Sequence, residues 1–532
     1  MDYLSALLIA IILFVYEFLA SADAYGPKLV FGILPLTSGF FTGILLGDPV
    51  SGAIVGAATQ LIALGAVPMG GAVPPEFSMV AIVATVLTIV GGIDPRIAIV
   101  LALPAGIIGM YFDILGRTAN ISLVHRVHSL IEAGRIDEID KWHILGLGIV
   151  GVFRGLAVLI TVFIAAYLGG ETLKSFLESL PPWILNGLTV AGAVLPALGL
   201  GLLLTFLGVS RYIKIFAIAF ILTAALSIPY TFAFVLIIGF IVIWFKYRKK
   251  IGLKAEGEET KELLPKNVIR SARLRSVFLF EASWNYEIMQ GMGYLFSILP
   301  VLRYLYKGDE LKEAAKSHLK FFNTNPIIGT LVVGLDAAME SSRKGDFDLI
   351  TKLKTGLMGP LAGFGDSVIY LAVGGVLILL SCTLVSQGVF YSPLIFIVGF
   401  TVITLILRFK SFDFGYKRGI SLVSVFSEEK MGAVREFAEK LAVLSVGAII
   451  PVVFQVRPSL GAETLSAIDA ALGIISISLL ISALLGLALT LLAQFMYQKG
   501  LRIFHVFITI FIIGFVLGAL GIFSVIGYVT IS

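Results

Sequence analysis

The sequence predicts an all-α polytopic membrane protein: two helical membrane units with broken or re-entrant helices, plus interfacial amphipathic helices. Three observations predict it. Of the 532 residues, 58% are hydrophobic and only 14% charged, where soluble domains carry about 25%. At about 20 residues per crossing, that apolar content supports roughly 12 to 15 membrane passes once loops are allowed for. The charge is also unevenly placed. Ten Lys/Arg and four Glu lie between Lys246 and Arg275, which leaves 29 basic and 30 acidic residues in the rest of the chain. The net charge of +5 therefore marks one loop and points to no nucleic acid partner.

In chain order, apolar blocks cover about 3–22, 28–47, 50–67, 77–93, 96–115, 144–168, 183–209 and 212–245. The first lacks a basic leading segment and carries Glu17, so it reads as a retained membrane segment. The last is long enough for two short spans meeting at Ser227-Ile228-Pro229. Between them, Arg117 to Lys141 holds four basic and four acidic residues, with Leu123, Val127, Leu130 and Ile131 at helical spacing. That pattern is an amphipathic helix lying at the interface.

Residues 246–275 form a basic linker, which the positive-inside rule places in the cytoplasm against an anionic lipid surface. Beyond it, 276–355 mixes aromatics and charges and reads as amphipathic helices. Spans follow at about 367–385, 391–407, 440–456, 468–494 and 503–528, with a charged loop from Arg408 to Lys440. The short basic turn Tyr497 to Arg502 faces the cytoplasm by the same rule, which puts the C-terminus outside. The chain thus divides into a membrane domain at 1–245, the linker at 246–275, and a second membrane domain at 276–532.

Each half holds a Gly/Pro-interrupted apolar stretch: Gly47-Asp48-Pro49 through Pro74-Pro75-Glu76, and Gly356 through Asp366. Interrupted helices expose backbone groups and helix ends at membrane depth, where a transporter binds its substrate. Tight packing through small residues is the competing reading. Polar residues at these stretches favour a polyol. Gln60 and Glu76 flank the first, and a carboxylate at membrane depth costs about 2.5 kcal/mol or more unless it is partnered or lies in a polar cavity. A membrane boundary facing water would also satisfy Glu76. In Phe280-Glu281-Ala282-Ser283-Trp284-Asn285-Tyr286-Glu287-Ile288-Met289-Gln290, a helix would set Ser283, Tyr286, Glu287 and Gln290 on one face. Trp284 and Asn285 would lie off that face. Aromatic rings beside amides and carboxylates suit the apolar face and hydroxyl edge of a sugar, although an interfacial aromatic belt looks alike.

Other chemistries are poorly supported. The single Cys382 lies in an apolar run, so no disulfide framework or Cys-based metal site is expected. His125 and His128 are one turn apart without a third ligand, so no metal and no cofactor is expected. The Gly-rich stretch at 356–366 lacks the order of a phosphate-cradling loop, which argues against ATP-driven transport. No catalytic nucleophile or phosphohistidine is expected, and any phosphoryl donor is a separate polypeptide.

The residues resemble a known family. Ser283-Trp284-Asn285 with Met289-Gln290, then His318-Leu319, Phe321-Phe322-Asn323-Thr324 and Pro326, then Gly356-Leu357-Met358-Gly359-Pro360-Leu361-Ala362-Gly363 with Gly365-Asp366, are similar to the IID subunit of the mannose-family sugar phosphotransferase system. Gly47-Asp48, Ile62-Ala63-Leu64-Gly65 and Ala72-Val73 with Pro75 resemble its IIC subunit. The resemblance implies a fused IIC/IID permease of the cell membrane, the non-phosphorylated component of a sugar phosphotransferase. It would move a hexose that a separate cytoplasmic IIB protein, charged by IIA, phosphorylates on arrival; a homotrimer is the family's implied assembly. It also implies sugar contacts at Gln60, Gly70, Glu76, Trp284, Asn285, Glu287, Gln290, Asn323 and Asp366. Gln60 stands where relatives commonly carry an acid, and Ser367 where they carry Pro, so substrate preference or ion coupling differs from theirs or is retuned. The alternative function is a IIB-independent facilitated or ion-coupled sugar carrier, motivated by Asp48, Glu76 and Asp366.

Overall fold

A computed structural model of the chain describes residues 2–64, 74–168, 171–207, 209–225, 231–247, 264–342, 347–419, 428–454, 456–459, 461–472 and 476–525. Within them the protein is almost wholly helical; a two-stranded antiparallel pair, Val456–Pro458 with Phe523–Val525, is the sheet present. Seven helical segments among the described residues are long and apolar enough to cross a membrane: Tyr3–Tyr25, Pro95–Glu132, Ile136–Leu168, Pro182–Leu207, Phe347–Ser386, Pro393–Arg418 and Ile477–Gln498.

Local rules account for many element ends. Asp2 caps the first helix by accepting from the Ser5 N–H at 2.8 Å, and Asp48 caps Pro49–Ala63 by accepting from Ser51 N–H at 3.0 Å. The amphipathic reading of 117–141 is met by the helix Ile121–Glu132, which buries Leu123, Val124, Val127, Leu130 and Ile131. The apolar block 212–245 is two helices, Ile213–Ala225 and Thr231–Tyr247; the junction proposed at Ser227-Ile228-Pro229 lies outside the described residues, as does most of the basic linker.

Two expectations are corrected. Residues 280–290 are not a helix. The helix Lys266–Leu279 ends before them and Gly291–Leu305 begins after them. Met289 sits at φ +53°, which a right-handed helix cannot accommodate, and Asn285 bends the chain by accepting from the N–H groups of Glu287 and Ile288. The stretch Gly356–Asp366 is not a break either. The α-helix Phe347–Phe364 runs directly into a π-helical segment, Gly365–Gly374, and on into Gly375–Ser386. The Ser367 hydroxyl donates to Gly363 O and Phe364 O, occupying carbonyls that the widened turn would otherwise leave open.

Helices from before and after residue 247 pack together rather than forming separate bodies. Pro182–Val194 lies on Ile503–Ala519, Pro196–Leu207 on Ile477–Gln498, and Ile213–Ala225 on Glu428–Val453. The last pair meets closely because Gly447 has no side chain: a Cβ there would stand 2.5 Å from Phe216 O. Elsewhere Tyr3–Tyr25 packs along Ile139–Leu168, and Thr330–Ser342 on Pro393–Arg418. Ion pairs tie the halves on the polar side. Asp140 accepts from Arg275 at 2.6 Å and Arg303 at 3.2 Å, and Lys316 reaches Glu132 at 2.9 Å.

Candidate functional site

Three helices and the N-terminal cap of a fourth place charges around one buried guanidinium. Arg154, from Ile139–Leu168, lies 2.8 Å from Glu17 Oε1 on Tyr3–Tyr25, 2.9 Å from Glu76 Oε2 at the start of Phe77–Ile89, and 3.1 Å from Asp113 Oδ1 on Pro95–Ala119. It also donates to Ser78 Oγ at 3.2 Å. Asp113 in turn accepts from the Tyr25 hydroxyl at 3.1 Å and pairs with Arg117 at 2.6 Å. Arg154, Glu17 and Asp113 are fully buried, while the Glu76 side chain keeps 15% of its surface. Three carboxylates thus face two guanidinium groups, and Glu17 Oε2 has no hydrogen-bond partner. Such a group at membrane depth is costly unless mutually paired, and it commonly marks a substrate path.

The segment 280–290 forms the adjoining wall. It packs against Ile139–Leu168 at Gly146, where a Cβ would stand 2.6 Å from Ala282 O. His143 holds it with one ring nitrogen 2.6 Å from Ser283 Oγ and the other 2.7 Å from Leu279 O, and Asn120 donates to Trp284 O at 3.2 Å. The Trp284 indole then lies under the Arg117 guanidinium, 4.9 Å from its carbon, with Tyr286 edge-on at 5.1 Å. A cation lodged over an indole and paired to a carboxylate is fixed in position.

A second polar cluster lies on the opposite side of that segment. Glu281 pairs with Lys28 at 2.7 Å and accepts from Gln290 Nε2 at 2.9 Å. Gln290 also donates to Thr324 O at 2.7 Å and accepts from Thr324 N–H at 3.0 Å. Asn325 Nδ2 donates to Asp366 Oδ1 at 2.8 Å. Arg408 closes the region by donating to Pro27 O and Val277 O, both at 2.8 Å.

Comparison with known proteins bears on what this arrangement serves. The model for the sorbose-specific IIC component of the phosphotransferase system (PTS) matches residues 7–244, and the model for the mannose/fructose/sorbose family IID component matches 263–523. The mannose-specific EIID component of Escherichia coli K12 is 30% identical over 49% of this chain and 97% of its own length. The fructose permease IID component of Bacillus subtilis is 31% identical over 48% of this chain and 96% of its length. For the other half, the sorbose-specific EIIC component of Lacticaseibacillus casei is 31% identical over 36% of this chain and 69% of its length. The chain belongs to the mannose/fructose/sorbose PTS family. It carries the IIC and IID components in one polypeptide, as a multi-pass membrane permease of the sugar phosphotransferase system that works with IIA and IIB partners.

In this permease, the eight described residues of the nine singled out from sequence do not converge on one pocket. Glu76 and Trp284 border the Arg154 and Arg117 network. Glu287 lies at its exposed rim, 3.2 Å from His125. Asn285 and Gln290 are buried and spend their amides on the backbone: Asn285 Nδ2 donates to Ser283 O at 3.0 Å. Asp366 belongs to the second cluster. Asn323 immediately precedes Thr324 of that cluster and is half-buried, with its N–H 3.1 Å from Met358 Sδ. Gln60 is separate, accepting from Leu36 N–H at 3.3 Å, and Gly70 lies outside the described residues. Sequence reasoning missed Asp113, Arg117 and Arg154, and used Glu17 only to argue against a cleaved signal. Glu17, Asp113 and Arg154 are charges within apolar blocks, the signal that would have found them, while Arg117 stands just past the end of one.

Proposed function

We propose that the permease binds its sugar in the polar region bounded by the Arg154 network and Trp284, and passes it to the cytoplasm for phosphorylation by IIB. The observation that carries this reading is the Arg154 cluster itself: carboxylates and guanidinium groups buried among apolar spans, with an indole at their edge. Carboxylates accept from sugar hydroxyls, guanidinium groups donate to them, and the indole offers an apolar face. Glu76, Trp284 and Glu287 are the contacts this region favours. Asn323 and Asp366 lie on the second cluster, which would meet the sugar at a later point on its path. Asn285 and Gln290 shape the wall between the two.

The stretch from Arg408 to Lys440, expected as a loop, is helical where it is described, as the ends of Pro393–Arg418 and Glu428–Val453 with Arg408 buried; the linker at 246–275 and the charges at those helix ends are the surfaces on which IIB would dock, with the linker cytoplasmic and the C-terminus outside by the positive-inside rule. The division into a IIC-like domain at 1–245 and a IID-like domain at 276–532, and a homotrimeric assembly, complete the proposal. Trapping gives the transport its direction: a site that binds sugar equally on both faces moves nothing uphill, whereas phosphorylation removes the sugar from the equilibrium.

Proteoliposomes holding the purified chain test the reading. With phospho-IIB inside, labelled hexose should accumulate as its phosphate. Accumulation of free hexose that follows a sodium or proton gradient and ignores phospho-IIB would overturn it in favour of an ion-coupled carrier.

A further inference from the structure

A second buried constellation stands apart from the sugar region. The helix Gly308–His318 ends at His318, and Thr330–Ser342 presents Asp336 and Glu340, four residues apart and so on one face. His318 and Asp336 are 1% and 2% exposed, and Glu340 is fully buried. One ring nitrogen of His318, Nδ1, lies 2.7 Å from Ala314 O. A carbonyl only accepts, so Nδ1 carries a proton, and Nε2, which faces the two carboxylates, carries either a second proton or a lone pair. Nε2 is 3.2 Å from Asp336 Oδ2 and 3.4 Å from Glu340 Oε1.

A lone pair facing two carboxylates needs a positive charge between them. A proton on Nε2 reaches Asp336 alone, at 3.2 Å the long end of the N–H···O range of about 2.7–3.2 Å, and leaves Glu340 Oε1 beyond it at 3.4 Å. Donor atoms bound to one zinc-like ion at about 2.0–2.1 Å in tetrahedral array stand about 3.3–3.4 Å from one another, close to the two separations from His318 Nε2, and all three donors lie within 4.8 Å of one another. Glu340 Oε1, the atom aimed at His318, has no hydrogen-bond partner. The surrounding groups orient the three donors as supports of metal ligands do. The Tyr306 hydroxyl donates to Glu340 Oε2, the Tyr294 hydroxyl to Asp336 Oδ2 at 2.7 Å, and the Ala314 carbonyl fixes the imidazole. The Lys354 ammonium donates instead to His318 O at 3.1 Å and rests 4.0 Å from the Tyr294 ring centroid.

We propose that His318 Nε2, Asp336 and Glu340 bind one first-row divalent cation, zinc by donor type, which clasps Gly308–His318 to Thr330–Ser342. The ion is a structural clasp, distinct from the sugar region and independent of the transport reading. The untagged full-length chain, purified in detergent and stripped with EDTA, is titrated with Co²⁺. One equivalent should produce a saturable visible band, zinc should abolish it, and Zn²⁺ should raise the thermal midpoint of the stripped protein. Glu340→Gln should weaken cobalt binding at least tenfold. Tyr306→Phe, which keeps all three donors and removes only an orienting hydroxyl, should weaken it measurably while the protein still elutes as folded. Absence of a saturable band in the stripped wild-type chain overturns the proposal, as does undiminished binding in Glu340→Gln.

Discussion

The guanidinium carbon of Arg117 stands 4.9 Å from the Trp284 ring centroid, so a cation from the IIC half is seated on an aromatic ring of the IID half. A contact of this kind contributes about 0.5–2 kcal/mol, and Trp284 also borders the proposed sugar region. Trp284→Leu is expected to raise the sugar concentration giving half-maximal uptake by about two- to thirty-fold, with Trp284→Phe recovering part of the loss. Uptake in proteoliposomes over a range of sugar concentrations measures it. An unchanged half-saturation in Trp284→Leu would remove the indole from the site.

Arg154 compensates Glu17, Glu76 and Asp113 at once. Removing one partner of a buried ionic set costs about 3–5 kcal/mol, because the remaining charges stay buried. Arg154→Met should therefore collapse the yield of monodisperse protein in detergent, read by size-exclusion chromatography. Adding Glu17→Gln should restore part of it, since one uncompensated charge is gone. Wild-type yield from the single variant would show that the network does not hold the fold.

Gln290 bridges Glu281 and both backbone groups of Thr324. Gln290→Leu removes the side-chain partner of both Thr324 backbone groups, at about 1–3 kcal/mol, while Glu281 keeps Lys28. The expected outcome is a lower thermal midpoint with little change in half-saturation for sugar well below that midpoint. A shift in half-saturation at unchanged midpoint would instead make Gln290 a direct sugar contact.

Asp469 caps the helix Ile477–Gln498 from the preceding helix Ala462–Leu472, accepting from Ser476 Oγ at 2.8 Å and Ile477 N–H at 2.6 Å, and from the Ser478 hydroxyl. Its modest burial raises the carboxyl, but the bonds from Ser478, Ser476 and Ile477 outweigh this and hold it below the ordinary carboxylate range. A depressed folded value stabilises above the unfolded value of about 3.9 and is lost as the pH falls through the lower folded one. The protection of the Ala462–Leu472 backbone amides, measured relative to the intrinsic exchange rate at each pH, is thus expected to fall below about pH 4, and Asp469→Asn to be less protected at neutral pH as well. Equal exchange in the two proteins at pH 7 would contradict the cap.

How much of this was legible in the sequence depended on the range over which each interaction acts. Apolar blocks, the amphipathic helix at Ile121–Glu132 and the paired short helices around residue 228 follow from local pattern, and the residues carrying the family resemblance were in plain view. The segment 280–290 was misread as helical because its spacing of polar groups fits one. The deciding facts are Met289 at positive φ and the bonds of Gln290 to Thr324, and the latter link residues 34 apart. The Gly-rich run before Asp366 looked like a break, yet a π-helical turn absorbs it. The Arg154 network joins four separate segments, so no spacing rule could assemble it, although each charge inside an apolar block was visible. His318 shows no metal-ligand spacing in the sequence because its carboxylate neighbours, Asp336 and Glu340, come from the following helix.

The helix pairs that join the two halves run in reverse order: Pro182–Val194 with Ile503–Ala519, Pro196–Leu207 with Ile477–Gln498, and Ile213–Ala225 with Glu428–Val453. During synthesis, the earliest of the three to leave the ribosome waits longest for its mate, and the latest waits least. Pro182–Val194 must sit in the bilayer while some 300 residues are translated, tens of seconds at about 5–20 residues per second. Joining IIC to IID in one polypeptide turns that wait into an encounter within a single molecule, in place of a search through the membrane for a separately made subunit.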